Sequence, residues 1–177
     1  FRYTWATSDQ HGFVRLCELR NLGDATLRIE LVDGLQNILP AGTPLLVQTT
    51  SSNLVDAYKW TELDAGTGLG VYTLYSGISD RAEPSESLRA NVVYGLGLDE
   101  PTVLLSSLQL NDFRLGKPVA QEDRKRGIRG AYLLHAGLEL ACGASRRWQI
   151  VADIERTQGQ VQEVIRLLAD PAAAARS

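Results

Sequence analysis

The stretch that decides the fold is YLLHAGLELACGASRRWQIVADI, residues 132–154. Apolar and polar residues alternate on both sides of the short turn at 141–144, and a period of two indicates β-strands with one buried face. Two such runs joined by a short turn predict an antiparallel hairpin. Its apolar faces consist of Tyr132, Leu134, Ala136, Leu138 and Leu140 before the turn and Trp148, Ile150, Ala152 and Ile154 after it.

The same pattern recurs near the start of the chain. A strand is predicted over residues 13–20, followed by the turn signal NLGD at 21–24. Residues 27–31 alternate again, which predicts a second antiparallel hairpin, closed at Asp33-Gly34. Residues 1–5 alternate too, so their three aromatic side chains share one face of a further strand.

Several shorter elements follow from local signals. Strands are predicted at about 69–76, 88–98 and 102–105, and short helices at about 52–63 and 107–115. Residues 117–130 mix both signs of charge, which is typical of a solvated loop. Thr157 and Gln160 form a capping box for a last helix, since their spacing of three allows reciprocal hydrogen bonds.

About eight strands, mostly in antiparallel hairpins, and two or three short helices predict a mostly β fold. An antiparallel β-sandwich with peripheral helices fits this count best. Residues 1–155 are assigned to the sandwich domain, and residues 156–177 to a C-terminal helix and tail.

Composition excludes several classes of protein. The chain has 177 residues, of which 44% are apolar and 22% charged, and this is a globular composition rather than a disordered one. A net charge of -3 argues against a non-specific nucleic-acid binder, which needs a basic surface. No apolar run reaches the ~18 residues of a membrane-spanning helix, so no membrane partner is expected.

The beginning of the chain indicates a piece of a longer protein. The sequence contains no methionine, starts at Phe1 in a strand-like pattern, and shows no signal peptide. An internal fragment is the favoured interpretation, and a processed mature chain is the alternative. Localisation signals would be lost in either case, so the compartment stays unknown.

Residues that could perform catalysis are sparse. His11 lies in a turn, and His135 lies in the opposite register from its apolar neighbours. Neither shows the spacing of a nucleophilic triad, and no cluster shows metal-ligand spacing, so no metal or cofactor is expected.

Some carboxylates could act together as the acid and base of a glycosidase, but carboxylates in loops are more often solvated or salt-bridged than catalytic. They are Asp80, Glu83 and Glu86 in one polar loop and Asp56, Glu62 and Asp64 elsewhere. The two cysteines, Cys17 and Cys142, could pair or remain free.

Tryptophans are the natural candidates for a sugar-stacking surface, because aromatic rings pack against C–H-rich faces. Trp5 and Trp148 lie on apolar alternating faces, so core packing is expected for both. Trp60 is expected outside the apolar face of its helix, where it could contact a ligand or another domain. The full set of candidate carbohydrate or domain contacts is Trp60, Asp80, Arg81 and Glu83.

The two hairpin segments carry a family resemblance. Residues 14–31 and 138–148, followed by the helix at 161–168, resemble hairpins and a linker helix of large carbohydrate-active enzymes. That group includes cellobiose phosphorylase, related disaccharide phosphorylases and cyclic β-glucan-processing enzymes. The resemblance covers about a third of the chain. It implies a supersandwich similar to galactose mutarotase, which in this group precedes an (α/α) barrel holding the catalytic acid.

This chain also departs from the family pattern. It contains no barrel sequence, and the His/Glu arrangement of aldose epimerases of the same fold does not match His11 or His135 residue by residue. The resemblance therefore implies a non-catalytic sandwich domain of a glycoside phosphorylase or hydrolase. Its expected partners are a helical catalytic domain of the same polypeptide, a carbohydrate and a second copy in a homodimer. The alternatives are a stand-alone carbohydrate-binding module and, less favoured, a mutarotase-like epimerase using His135.

Overall fold

The computed structural model describes residues 1–76, 88–170 and 174 of the chain. The strands in these residues are β1 (Arg2–Ser8), β2 (Gly12–Arg20), β3 (Leu27–Ile38), β4 (Lys59–Asp64), β5 (Leu69–Leu74), β6 (Arg89–Leu96), β7 (Thr102–Leu104), β8 (Arg124–Arg126), β9 (Gly130–Leu140) and β10 (Ser145–Thr157). The helices are α1 (Leu45–Thr50), α2 (Ser52–Tyr58), α3 (Leu110–Arg114) and α4 (Gln158–Leu168). The prediction of a mostly β fold with short helices is confirmed, although the described residues contain ten strands and four helices rather than eight and two or three.

The strands form two antiparallel sheets of unequal width. The larger sheet has the order β1-β2-β10-β6-β5-β4-β8, and the smaller sheet has the order β3-β9-β7. Fully buried apolar side chains from both sheets meet between them, because alternation turns one face of each strand inward. Tyr72 and Ile150 come from the larger sheet, and Tyr132 and Leu134 come from the smaller one. The predicted sandwich is therefore present.

Helices cover part of each outer face. The apolar side of α4 packs through Val161, Val164 and Ile165 against the outer face of the larger sheet. Its capping box is formed as predicted: Gln160 N donates to Thr157 Oγ1, and Thr157 N donates to Gln160 Oε1. Apolar side chains of α3 and the loop after it cover the smaller sheet. Within the described residues, no helix is long and apolar enough to cross a membrane.

Both predicted hairpins are wrong. β2 lies in the larger sheet and β3 in the smaller one, so the turn at residues 21–24 crosses between the sheets. The turn at 141–144 does the same between β9 and β10. We refer to these two crossings as the arches. The physical reason is that alternation and turn residues are the same in a hairpin and in an arch, and only distant partner strands decide between them.

The arches lie side by side, since β2 pairs with β10 and β3 pairs with β9. Asn21 joins them. Its side-chain Nδ2 lies 2.7 Å from the Ala25 carbonyl oxygen, 3.0 Å from that of Leu140 and 3.1 Å from that of Ala141. Its Oδ1 accepts a hydrogen bond from Gly23 N at 2.9 Å. A single buried amide thus satisfies backbone groups from both crossings.

Two further expectations need correction. The helix predicted over 52–63 ends at Tyr58, and residues 59–64 form β4 instead. Lys59 and Thr61 turn inward in this strand, because pairing with β5 imposes a period of two. The segment 117–130, expected to be a solvated loop, contains β8 and a buried carboxylate, Glu122.

Candidate functional site

One side of the sandwich is open. β1 is the edge strand of the larger sheet, and β3 is the edge strand of the smaller sheet within the described residues. The core between the sheets involves β2, β5, β6 and β10 of the larger sheet, but not β1. The inner face of β1 therefore projects beyond the smaller sheet. We refer to this region as the open side.

Three aromatic residues occupy the open side. Phe1, Tyr3 and Trp5 alternate along the start of the chain and are 64%, 53% and 49% exposed. They share the inner face, since Tyr3 pairs with Cys17 and Trp5 pairs with Arg15 in β2. Alternate residues of a strand repeat at about 6.8 Å, so the rings form a line, which we call the aromatic row. Core packing of Trp5, expected from its alternation, is wrong, because no strand of the smaller sheet covers it.

Neighbouring side chains contact two of the rings on the side that faces the protein. Phe1 stacks on Trp148, with ring centroids 5.7 Å apart and planes 22° apart. The Arg15 guanidinium carbon lies 4.6 Å from the centre of the Tyr3 ring and 5.9 Å from that of Phe1. Stacking and cation–π contacts of this kind fix ring orientation. Phe1 and Tyr3 are therefore held in place on their inner side while they stay exposed to solvent.

A buried polar network forms the base of the row. Arg15 Nη1 donates to Asp33 Oδ1 at 2.7 Å, and Trp148 Nε1 donates to Asp33 Oδ2 at 2.8 Å. The Cys17 thiol lies 3.4 Å from the same Oδ2. Burial, with the charge of Asp33, raises the pKa of Cys17 to about 12, so this thiol stays protonated. Asp33 belongs to β3, so the network joins the two sheets beneath the row. Trp148 is buried, as predicted.

The aromatic row also carries polar groups that can form hydrogen bonds with a ligand. Among the described residues, neither the Tyr3 hydroxyl nor the Trp5 indole N–H has a hydrogen-bond partner in the protein. Both groups can donate, and the hydroxyl can also accept. The surface thus combines apolar ring faces with free hydrogen-bonding groups at their rims.

Trp60, the tryptophan singled out by the sequence, is in a different situation. It lies in β4, and the guanidinium carbon of Arg126 is 3.5 Å from its ring centre. Arg124 lies 5.1 Å from the same centre, and the Tyr75 ring stacks at 6.1 Å. A guanidinium therefore occupies one face of this indole. The other candidate contacts, Asp80, Arg81 and Glu83, lie outside the described residues.

Among the described residues, the candidate acids and bases other than His11 are engaged in local contacts, while Asp80, Glu83 and Glu86 lie outside the described residues. His135 Nε2 lies 2.9 Å from Glu30 Oε2 on the outer face of the smaller sheet, and Phe113 meets its ring edge-on. His11 Nε2 is buried without a hydrogen-bond partner among the described residues. Asp56 pairs with Lys59, Glu62 pairs with Arg124, and Asp64 accepts from Thr67. These carboxylates serve structural roles, as salt bridges and turn contacts.

A groove of about 650 Å³ lies on the opposite face of β1 from the aromatic row. Leu16 and Leu96 contribute apolar surface to it, and Glu18 binds both Arg2 and Arg147 at its rim. Hydrogen bonding from Arg147, together with that from Arg2, lowers the pKa of Glu18 and keeps it ionised.

Within the described part of the chain, no group of three His, Cys, Asp or Glu side chains could hold a metal ion. Cys17 and Cys142 are both free, the first buried and the second exposed.

No protein-family model and no curated protein matches the chain. The site must therefore be assigned from its chemistry. Sequence reasoning placed the aromatic row on one face correctly but assigned that face to the core. No signal in residues 1–5 could have shown the difference, since the exposure depends on how many strands the opposite sheet contains.

Proposed function

We propose that this chain is a non-catalytic β-sandwich domain of a carbohydrate-active enzyme and that the aromatic row binds carbohydrate. The observation that carries the proposal is the exposure of Phe1, Tyr3 and Trp5 on one line of a rigid sheet. Apolar side chains in such a line are normally buried, and an exposed patch is typical of a binding surface.

Carbohydrate fits the chemistry of the row better than a purely apolar ligand does. Sugar rings present C–H faces that pack on aromatic rings, with hydroxyl groups around their edges. The free groups of Tyr3 and Trp5 lie where such hydroxyls could be bound. Support from Trp148 and Arg15 lowers the conformational cost of binding, because two of the rings are already oriented.

The proposal leaves catalysis to another part of the enzyme. A helical catalytic domain as partner rests on the sequence resemblance alone, since the two segments that carry it form arches in this chain and not hairpins. His135, the acid/base candidate of the epimerase alternative, contacts Glu30 on the outer face of the smaller sheet. We assign this pair no catalytic role.

The test is binding of oligosaccharides to the chain, measured by isothermal titration calorimetry. The probes are cellopentaose and laminaripentaose as β-glucans and maltopentaose as an α-glucan. We expect at least one probe to bind and Tyr3→Ala or Trp5→Ala to weaken binding about five- to tenfold, the equivalent of a lost aromatic contact.

Trp60→Ala is the matched control, because it removes an aromatic side chain from the same sheet but not from the open side. Its affinity should equal that of the wild type. Loss of binding in Trp60→Ala with retention in Tyr3→Ala and Trp5→Ala would contradict the proposal and favour the site around Trp60. Absence of binding to all three probes would also contradict it.

A further inference from the structure

A second cavity, of about 310 Å³, lies away from the open side. It is lined by the end of β3, by α1, by the first residue of β4 and by the segment before β9. Its polar lining residues are Asn37, Gln48, Thr49, Lys59 and Arg129. The volume is at the lower end of the range for small-molecule sites.

Lys59, a buried lysine, is one of the residues at the cavity. The Lys59 side chain is only 1% exposed, and its Nζ donates to Asp56 Oδ1 at 2.7 Å and to Gln48 Oε1 at 2.8 Å. An ammonium group has three N–H donors, so one remains without a partner among the described residues. Buried cations of this kind are normally fully bonded. Since the side chain is only 1% exposed, the ammonium lies behind the surface of the cavity and adds its charge to the site.

A second cation lies at the same cavity. Arg129 is exposed and has no ion pair or hydrogen bond to any described residue. Lys59 and Arg129 carry two positive charges, against one negative charge on Asp56. The cavity therefore has an excess of positive charge as well as unused donors.

The backbone at the cavity has an uncommon conformation. Asn37 has φ +58°, in the left-handed region that non-glycine residues rarely adopt. It lies where the register between β3 and β9 shifts, between Gln36 and Ile38. Asn37 is also one of the residues that line the cavity.

We propose that this cavity binds a small oxyanion, a phosphate or carboxylate group bonded by Arg129 and attracted by the charge of Lys59 behind the cavity surface. The anion could be free or could be the acidic group of a sugar, and both sources share this recognition chemistry. Guanidinium and ammonium groups bind both kinds of anion through charge-assisted hydrogen bonds. The proposal is independent of carbohydrate binding at the aromatic row, which lies on other residues.

The experiment is a nitrogen-15 NMR titration of the chain with inorganic phosphate, with glucuronate and with glucose. We expect saturable shifts of the backbone amides of Asn37, Gln48 and Thr49 with phosphate or glucuronate, and none with glucose. Stronger binding of phosphate would show that the cavity prefers a phosphate group, and stronger binding of glucuronate that it prefers the carboxylate of an acidic sugar; either supports the proposal.

Arg129→Gln tests the assignment without disturbing the buried lysine, because Arg129 is exposed and unpaired within the described part of the chain. It should weaken binding at least tenfold. Arg114→Gln, an exposed arginine at the end of α3, is the matched control and should bind as the wild type does. Equal binding in Arg129→Gln, equal shifts with glucose, or no saturable shift with either anion would overturn the proposal.

Discussion

Glu122 shows how one residue fixes a segment that carries no long element. Its carboxylate accepts hydrogen bonds from Leu105 N at 2.9 Å, Ser106 Oγ at 3.0 Å and Gln109 Nε2 at 2.9 Å. Lys125 Nζ lies 3.0 Å away as its cation. Burial raises the pKa of Glu122, but hydrogen bonds from Gln109, Lys125 and Ser106 outweigh it, and the pKa is lowered from 4.5.

The lowered pKa has a consequence for stability against pH. A carboxylate with a depressed folded-state pKa stabilises the protein above its unfolded value of 4.5, and this contribution is lost as pH falls through the folded pKa. We expect Glu122→Gln to lower the free energy of unfolding by about 1–3 kcal/mol at pH 7 and by less at pH 3.5. Urea unfolding of the wild type and of Glu122→Gln at both pH values measures this change in the free energy of unfolding.

The matched control for Glu122 is Glu139→Gln. Glu139 pairs with Arg28 on the surface, at 3.3 Å, and both side chains are well exposed. Its effect should stay within about 0.5 kcal/mol at either pH. A loss of stability in Glu122→Gln that is the same at pH 7 and pH 3.5 would contradict the role assigned to the ionised carboxylate.

At the scale of elements, the two arches connect the sheets, and one side chain joins the arches to each other. Asn21 is 2% exposed and bonds to carbonyl groups on both crossings. Asn21→Ala leaves these carbonyls, of which that of Leu140 is buried, without this donor. We expect it to lower the free energy of unfolding by about 2–4 kcal/mol, since several hydrogen bonds are lost together.

Asn111→Ala is the control for Asn21, because Asn111 is an exposed asparagine in α3. Its free energy of unfolding, measured by thermal and urea unfolding, should lie within about 0.5 kcal/mol of the wild-type value. If Asn21→Ala were equally mild, the arches would be held by strand pairing alone, and the role of this amide would be wrong.

The same elements show what the sequence can and cannot specify. The strands of the 132–154 stretch and the cap of α4 were predicted, because alternation and capping are local patterns. The sequence does not predict which strands pair with each other, since β2 pairs with β10, which lies more than a hundred residues away along the chain. For the site, alternation placed Phe1, Tyr3 and Trp5 together, but their exposure follows from the width of the smaller sheet. Trp60 was assigned to a helix because the end of α2 at Tyr58 carries no glycine or proline signal.

At the scale of the whole molecule, the two sheets differ in width by four strands among the described residues, seven against three. The larger sheet therefore extends beyond the smaller one, and its inner face is exposed at β1. A network of Arg15, Asp33 and Trp148 closes the core beneath that face. The aromatic row is thus an exposed surface built by the fold itself, with two of its three rings held by neighbouring side chains. Carbohydrate binding there is the central claim.

The three tryptophans allow that claim to be tested in one measurement. Trp148 is buried, Trp60 lies under Arg126, and Trp5 belongs to the aromatic row. Incorporation of 5-fluorotryptophan gives one fluorine-19 NMR resonance for each, assigned by single Trp→Phe variants, and the chain is titrated with the pentasaccharides. We expect the Trp5 resonance to shift saturably and the Trp60 resonance to stay unchanged, with a smaller shift of Trp148, because Phe1 of the row stacks on it. A shift confined to Trp60, or no shift at any of the three, would contradict carbohydrate binding at the aromatic row.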